Sequence, residues 1–138
     1  MNLSLWHHRG RGGFTLVEVM LVCGIMALMA AIAVPAWIRA RKRSQATMIW
    51  NDLKQIDAAV DQYALETSKE AGHPVGVEDW RRFLKANSRL QATATDLFGN
   101  PFGPQTVDQL PKVPNGAFAA LSDMVSTDFW SPYAIADP

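Results

Sequence analysis

Between Glu18 and Arg39 the chain places twenty consecutive residues without a charged side chain, VMLVCGIMALMAAIAVPAWI, from Val19 to Ile38. At about 1.5 Å of rise per residue such a helix is about 30 Å long, the thickness of the hydrocarbon core of a bilayer. A helix apolar on every side needs a large surround, and 138 residues leave little chain to wrap it. The run is therefore read as a membrane span rather than the core helix of a soluble domain.

Charge divides around this run. The formal net charge is zero, from 13 Lys and Arg against 13 Asp and Glu, but the average hides three regions. Residues 1–13 carry Arg9 and Arg11 and no acid. Arg39, Arg41, Lys42 and Arg43 cluster just past the run, and from Ser44 to Pro138 seven basic residues face twelve acidic ones. A basic-flanked apolar rod thus joins an acidic domain. With no clustered basic excess in that domain, nucleic acid is not an expected partner. A single cysteine, Cys23, excludes a disulfide framework and a multi-cysteine zinc site.

The first 13 residues, MNLSLWHHRGRGG, are short and basic, and they precede the apolar segment instead of containing it. Cleavage after them would leave the hydrophobic helix on the mature chain, unlike the removal of a secretory signal. Gly13-Phe14-Thr15-Leu16-Val17-Glu18 resembles the processing site of type IV prepilins and of the pseudopilins of type II secretion. The resemblance implies cleavage between Gly13 and Phe14 by prepilin peptidase and N-methylation of Phe14. It also implies that Glu18 serves assembly by neutralising the new terminal ammonium of a neighbouring subunit. Locally, Thr15-Leu16-Val17-Glu18 also fits a capping box, with threonine and glutamate satisfying orphan amides at a helix start. The positive-inside tendency, taken alone, points the other way, since four basic residues follow the span and two precede it. The processing motif overrides it, because it requires residues 1–13 on the cytoplasmic side.

Pro35 lies inside the run, lacks an amide for the Ala31 carbonyl and is expected to kink the helix. Past the basic cluster, expected at lipid headgroups, Ile49, Leu53, Ile56, Val60 and Tyr63 recur at intervals of four, three, four and three. Asp52, Lys54, Asp57 and Asp61 are assigned to other faces. This predicts one helix from about Leu16 to about Ser68, with its second half packed under its own head.

Ala71-Gly72-His73-Pro74 is expected to break that helix. Glu78 to about Asn87 reads as a short helix with Trp80, Phe83 and Leu84 inward and Arg81, Arg82 and Lys85 in solvent. Gly99-Asn100-Pro101 and Pro114-Asn115-Gly116 read as turns between short strands containing Leu97, Phe98, Phe102, Val107 and Val113. The segment Asp96-Leu97-Phe98-Gly99-Asn100-Pro101-Phe102 resembles the Asp-Pro-Trp-Gly-x-Pro-Tyr segment of major pseudopilins, matching at Asp96, Gly99 and Pro101. The family's calcium loop would fall near Asp123 and Asp128, with Asp108 farther off. No cofactor is otherwise expected, and these acids are read first as turn or helix-cap residues, with calcium the lesser alternative.

No Walker loop, His-Glu-x-x-His or Gly-x-Ser-x-Gly sequence is present, and the chain is read as no enzyme. The resemblance implies an α+β fold, a long helical spine with a small antiparallel-sheet head. It divides the chain into a leader (1–13), a membrane or filament-core helix (14–38), an amphipathic continuation (39–70) and a periplasmic head (71–138). The function expected is that of a structural subunit of a type IV pilus-like filament or a secretion pseudopilus. Its partners would be prepilin peptidase, other copies and related subunits, membrane lipid, and an inner-membrane assembly platform with a separate ATPase. A single-pass anchored periplasmic binding protein that never polymerises is the alternative.

Overall fold

The computed structural model describes residues 13–137, so the expected leader, Gly13 apart, lies outside the described residues. The dominant element is α1, a helix of 52 residues from Leu16 to Thr67. The chain divides into two compact units, Met1–Trp37 and Ile38–Pro138.

In the first unit α1 starts at Leu16 and runs on through Pro35 without a break in its assignment. Phe14, Leu16, Met20, Leu28, Met29 and Ile32 are all at least 66% exposed.

The second unit is organised by the dry stripe of α1. Ile49, Leu53 and Ile56 are fully buried, Ala59 and Val60 nearly so, and Tyr63 packs at the margin. Each fully buried aliphatic side chain of this kind stabilises the fold by about 1.5–3 kcal/mol relative to exposure. Against the stripe pack Val75, Trp80, Leu90, Val113, Ala117, Leu121 and Trp130. Asp52 departs from the expected arrangement. It is buried at 8% exposure rather than turned to another face, because the Arg89 guanidinium pairs with its carboxylate.

Helix α1 ends at Thr67, before the expected glycine-proline break. Ser68 turns left-handed, with φ of 51°, and the Lys69 amide donates back to the Ala64 carbonyl at 3.0 Å, which closes the last turn. Gly72 instead supports the following turn, and its amide donates to the Val107 carbonyl at 3.0 Å.

The sheet has two strands, β1 (Pro74–Val75) and β2 (Gln105–Thr106), paired antiparallel with Pro74 opposite Thr106 and Val75 opposite Gln105. The other expected strand positions fall elsewhere. Leu97 and Phe98 are exposed in a turn, Phe102 and Val107 flank β2 as core residues, and Val113 makes a single bridge to Ile135. Pro101, Pro104, Pro111 and Pro114 remove backbone donors along this stretch, which limits ladder growth. The architecture is α+β, a long helix with a small antiparallel sheet and short helices.

Those helices are α2 (Val77–Arg81), α3 (Arg89–Thr93) and α4 (Asn115–Leu121), followed by a 3-10 turn at Thr127–Trp130. The helix expected to reach Asn87 stops at Arg81. Asn87 takes a left-handed φ of 59°, and the Ser88 hydroxyl caps α3 by accepting from the Gln91 amide at 3.1 Å. Trp80 and Leu84 still reach the core. Arg81 is not a solvated side chain: it donates to the carbonyls of Gln91 at 2.7 Å and Ala92 at 2.9 Å and pairs with Glu78, tying α2 to α3.

Pro114-Asn115-Gly116 opens α4 rather than forming a turn. Proline is tolerated where a helix starts, since its missing amide would have no partner there. Gly116 is required by a close approach, because a Cβ at this position would lie 2.3 Å from the Asn100 Oδ1. Asn100 cannot swing away freely, since its Nδ2 donates to Asp96 at 2.8 Å. Gly116→Ala is expected to destabilise the protein by about 1–3 kcal/mol, the usual cost of overpacking. Chemical denaturation of the full chain in detergent checks this, and an unchanged midpoint would contradict the contact.

Candidate processing and assembly site

The start of α1 is built by four residues. The Thr15 amide donates to the Glu18 carboxylate at 3.4 Å, and the Glu18 amide donates to the Thr15 hydroxyl at 3.2 Å. This is the reciprocal capping box that Thr15-x-x-Glu18 predicts, and it places the acid where the helix dipole favours it. Gly13 and Phe14 precede it as non-helical backbone, with Phe14 83% exposed. Gly13, Phe14 and Glu18 thus lie together on one exposed stretch, next to a helix long and apolar enough to cross a membrane and with no part of its apolar window buried. Such a helix fits membrane anchoring.

In the second unit, the basic cluster divides by use. Lys42 pairs with Asp123 at 2.5 Å, while Arg39 and Arg43 are exposed. Asp123 is therefore engaged by a cation. Asp128 is exposed in the 3-10 turn, and among the described residues no group of three or more His, Cys, Asp or Glu side chains is placed to hold an ion. Calcium at Asp123 would have to displace Lys42, and a calcium titration of thermal unfolding decides whether it does.

The Asp96 carboxylate, in the segment that resembles the pseudopilin one, is held by three protein donors. It accepts from the amides of Phe98 and Asn100 and from the Asn100 side chain, each at 2.8 Å. Gly99 has φ of 86°, a backbone conformation costly for other residues. Asp96 and Gly99 thus serve the turn itself, with a bridge between Thr95 and Pro101 closing it.

Burial raises the carboxyl pKa of Asp52 despite the opposing pull of Arg89. Burial also raises that of Asp57, helped by Asp61 one turn on. Sequence reading missed the Asp52–Arg89 pair, because its members are separated by 37 residues. A signal was nonetheless present: Asp52 stands three residues after Ile49 and four before Ile56, inside the apolar stripe.

Residues 8–34 match the family model described as the prokaryotic N-terminal methylation motif. That interval contains Gly13, Phe14, Glu18 and most of the uncharged run. Over that interval the chain carries the methylation motif, and it is similar to type IV pilins and type II secretion pseudopilins. Among its relatives is type II secretion system core protein G of Pseudomonas aeruginosa, 29% identical over 68% of this chain and 72% of that protein. Type IV major fimbrial protein FimA of Dichelobacter nodosus is 38% identical over 44% of this chain and 38% of its own length. Type IV major pilin protein PilA of Myxococcus xanthus is 35% identical over 50% of this chain and 31% of its own. The chain thus spans most of the first relative and well under half of the other two. No solved structure matches it significantly.

Proposed function

We propose that this chain is a structural subunit of a type IV pilus-like filament or type II secretion pseudopilus, processed after Gly13 and assembled through the N-terminal half of α1. The observation that carries this reading is the uncovered apolar stretch from Phe14 to Ile38, headed by a capped glutamate and joined to a unit with its own core. A surface of that kind is held in lipid before assembly and against other helices afterwards. Prepilin peptidase would remove the leader on the cytoplasmic face of the inner membrane and methylate Phe14, leaving the head periplasmic. Cleavage also creates an ammonium at Phe14 for a neighbouring Glu18 to neutralise. The family resemblance supplies an assembly platform and a separate ATPase, since no Walker sequence is present here. The work is mechanical: each subunit leaves the bilayer and extends a helical fibre.

Mass spectrometry of the chain extracted from its host's membranes tests the processing. The expected result is a mature chain starting at a methylated Phe14, and retention of residues 1–13 would favour a simple anchored protein. Glu18→Ala is expected to abolish filaments while leaving cleavage intact. Normal filaments from the variant would remove Glu18 from the assembly step.

A further inference from the structure

Two shallow cavities run together along the second unit. One, of about 210 Å³, is lined by Arg43, Met124, Val125 and Phe129 among others, and the next, of about 270 Å³, by Thr47, Trp50 and Phe129. Phe129 lines both, so they adjoin at its ring as a two-part groove between α1 and the segment 124–131. Arg43, Thr47 and Trp50 are spaced four and three residues apart and define its α1 wall. From Arg43 to Trp50 the groove is about 10 Å long, the width of one helix lying across it.

The groove is firm and incompletely covered. The Trp50 indole donates to the Ser131 carbonyl at 3.4 Å, meets Tyr133 edge-on at 6.1 Å and carries the Lys54 ammonium 4.3 Å from its ring centre. Phe129 is braced edge-on against Trp130 at 5.4 Å. Met124 is 45% exposed at the rim. Rigid aromatic walls beside an uncovered Met are suited to receive apolar side chains, because little freedom remains to be lost on contact.

Resting on the filament reading above, we infer that this groove receives the uncharged half of α1 from a second copy of the chain. Two observations select that occupant. The stretch from Phe14 to Ile38 is the largest uncovered apolar element among the described residues. Charge fits as well: residues 19–38 carry no charged side chain, so none has to be desolvated against the aromatic walls of the groove. Groove and rod are different surfaces of one chain, so their union is heterologous and propagates instead of closing on itself, as a fibre requires. A bilayer surface, the other apolar candidate, is an outcome of the test.

A photo-crosslinking phenylalanine analogue is placed at Met124 in the full chain, expressed in its host, and the crosslinked peptides are mapped. The expected partner is a peptide within residues 19–38 of another copy. Crosslinks to lipid, to head residues, or to nothing while filaments are present would overturn the inference and leave the filament reading standing. Met124→Asp provides a second arm, since this side chain is 45% exposed and lies outside the buried core. It is expected to reduce filament yield by about tenfold or more, as for an interface hot spot, with the unfolding midpoint of the dispersed protein unchanged. Wild-type yield from Met124→Asp would overturn the inference. A wild-type chain that forms no filaments at all would remove both this inference and the reading on which it rests.

Discussion

Trp80→Ala is expected to destabilise the second unit by about 3–5 kcal/mol, the range for removing a fully buried large aromatic side chain. Trp80 is completely buried among residues that include the α1 stripe, and its indole donates to the Gly103 carbonyl at 3.3 Å. The substitution therefore opens a cavity and removes one of two donors to the Gly103 carbonyl, leaving the Gln105 side-chain amide at 3.2 Å. Small domains hold about 5–15 kcal/mol in total, so the loss is a large share of the whole. In a unit of this size the midpoint should fall by about 12 °C or more. Near-ultraviolet circular dichroism of the full chain in detergent reads this directly. Much of the far-ultraviolet helical signal should survive, because the apolar half of α1 has no buried residue to lose. A midpoint within a few degrees of wild type would contradict the assigned core.

The second large effect concerns Asp52 and Arg89. Arg89→Ala leaves a carboxylate that is 8% exposed without its partner, and it frees the Thr95 carbonyl that Arg89 also contacts. Breaking a fully buried pair costs about 3–5 kcal/mol; with the Arg89 side chain 39% exposed, water moderates this, and about 2–3 kcal/mol is expected. The pH dependence identifies the cause. Burial already raises the Asp52 pKa in the folded state, and loss of Arg89 removes the groups that lower it. A carboxyl whose folded pKa is raised favours folding fully below its unfolded pKa of about 3.9, and that contribution is lost as pH rises through the folded value. The deficit of Arg89→Ala should therefore be largest near neutral pH and shrink on acidification toward about pH 4. Adding Asp52→Asn should recover most of the loss at neutral pH. A deficit independent of pH would mean that Arg89 acts through packing alone.

These two sites also mark how far the chain could be read in advance. The α1 stripe was legible because a helix writes its buried face at fixed intervals, and Ile49, Leu53, Ile56 and Val60 are all buried where that spacing puts them. The capping box at the start of α1 was legible because Thr15 and Glu18 stand only three residues apart. The head was harder, because its order comes from contacts between distant residues. Arg81 looked solvated until the Gln91 and Ala92 carbonyls came within reach. Pro114-Asn115-Gly116 has turn composition, yet the approach of Asn100 explains its glycine and α4 its proline. Strand length was overestimated because hydrophobic residues flanking turns were read as ladder positions, although the prolines between them carry no amide to donate.

The brevity of β1 and β2 has a consequence for crowding. Under the filament reading proposed above, subunits would lie side by side in a membrane, where a long open strand would invite pairing in any register with any neighbour. With only two residues in each strand, the ladder offers little template for such stacking. Cross-strand aggregation is thereby disfavoured, and under that reading the choice of neighbour would be left to side-chain surfaces.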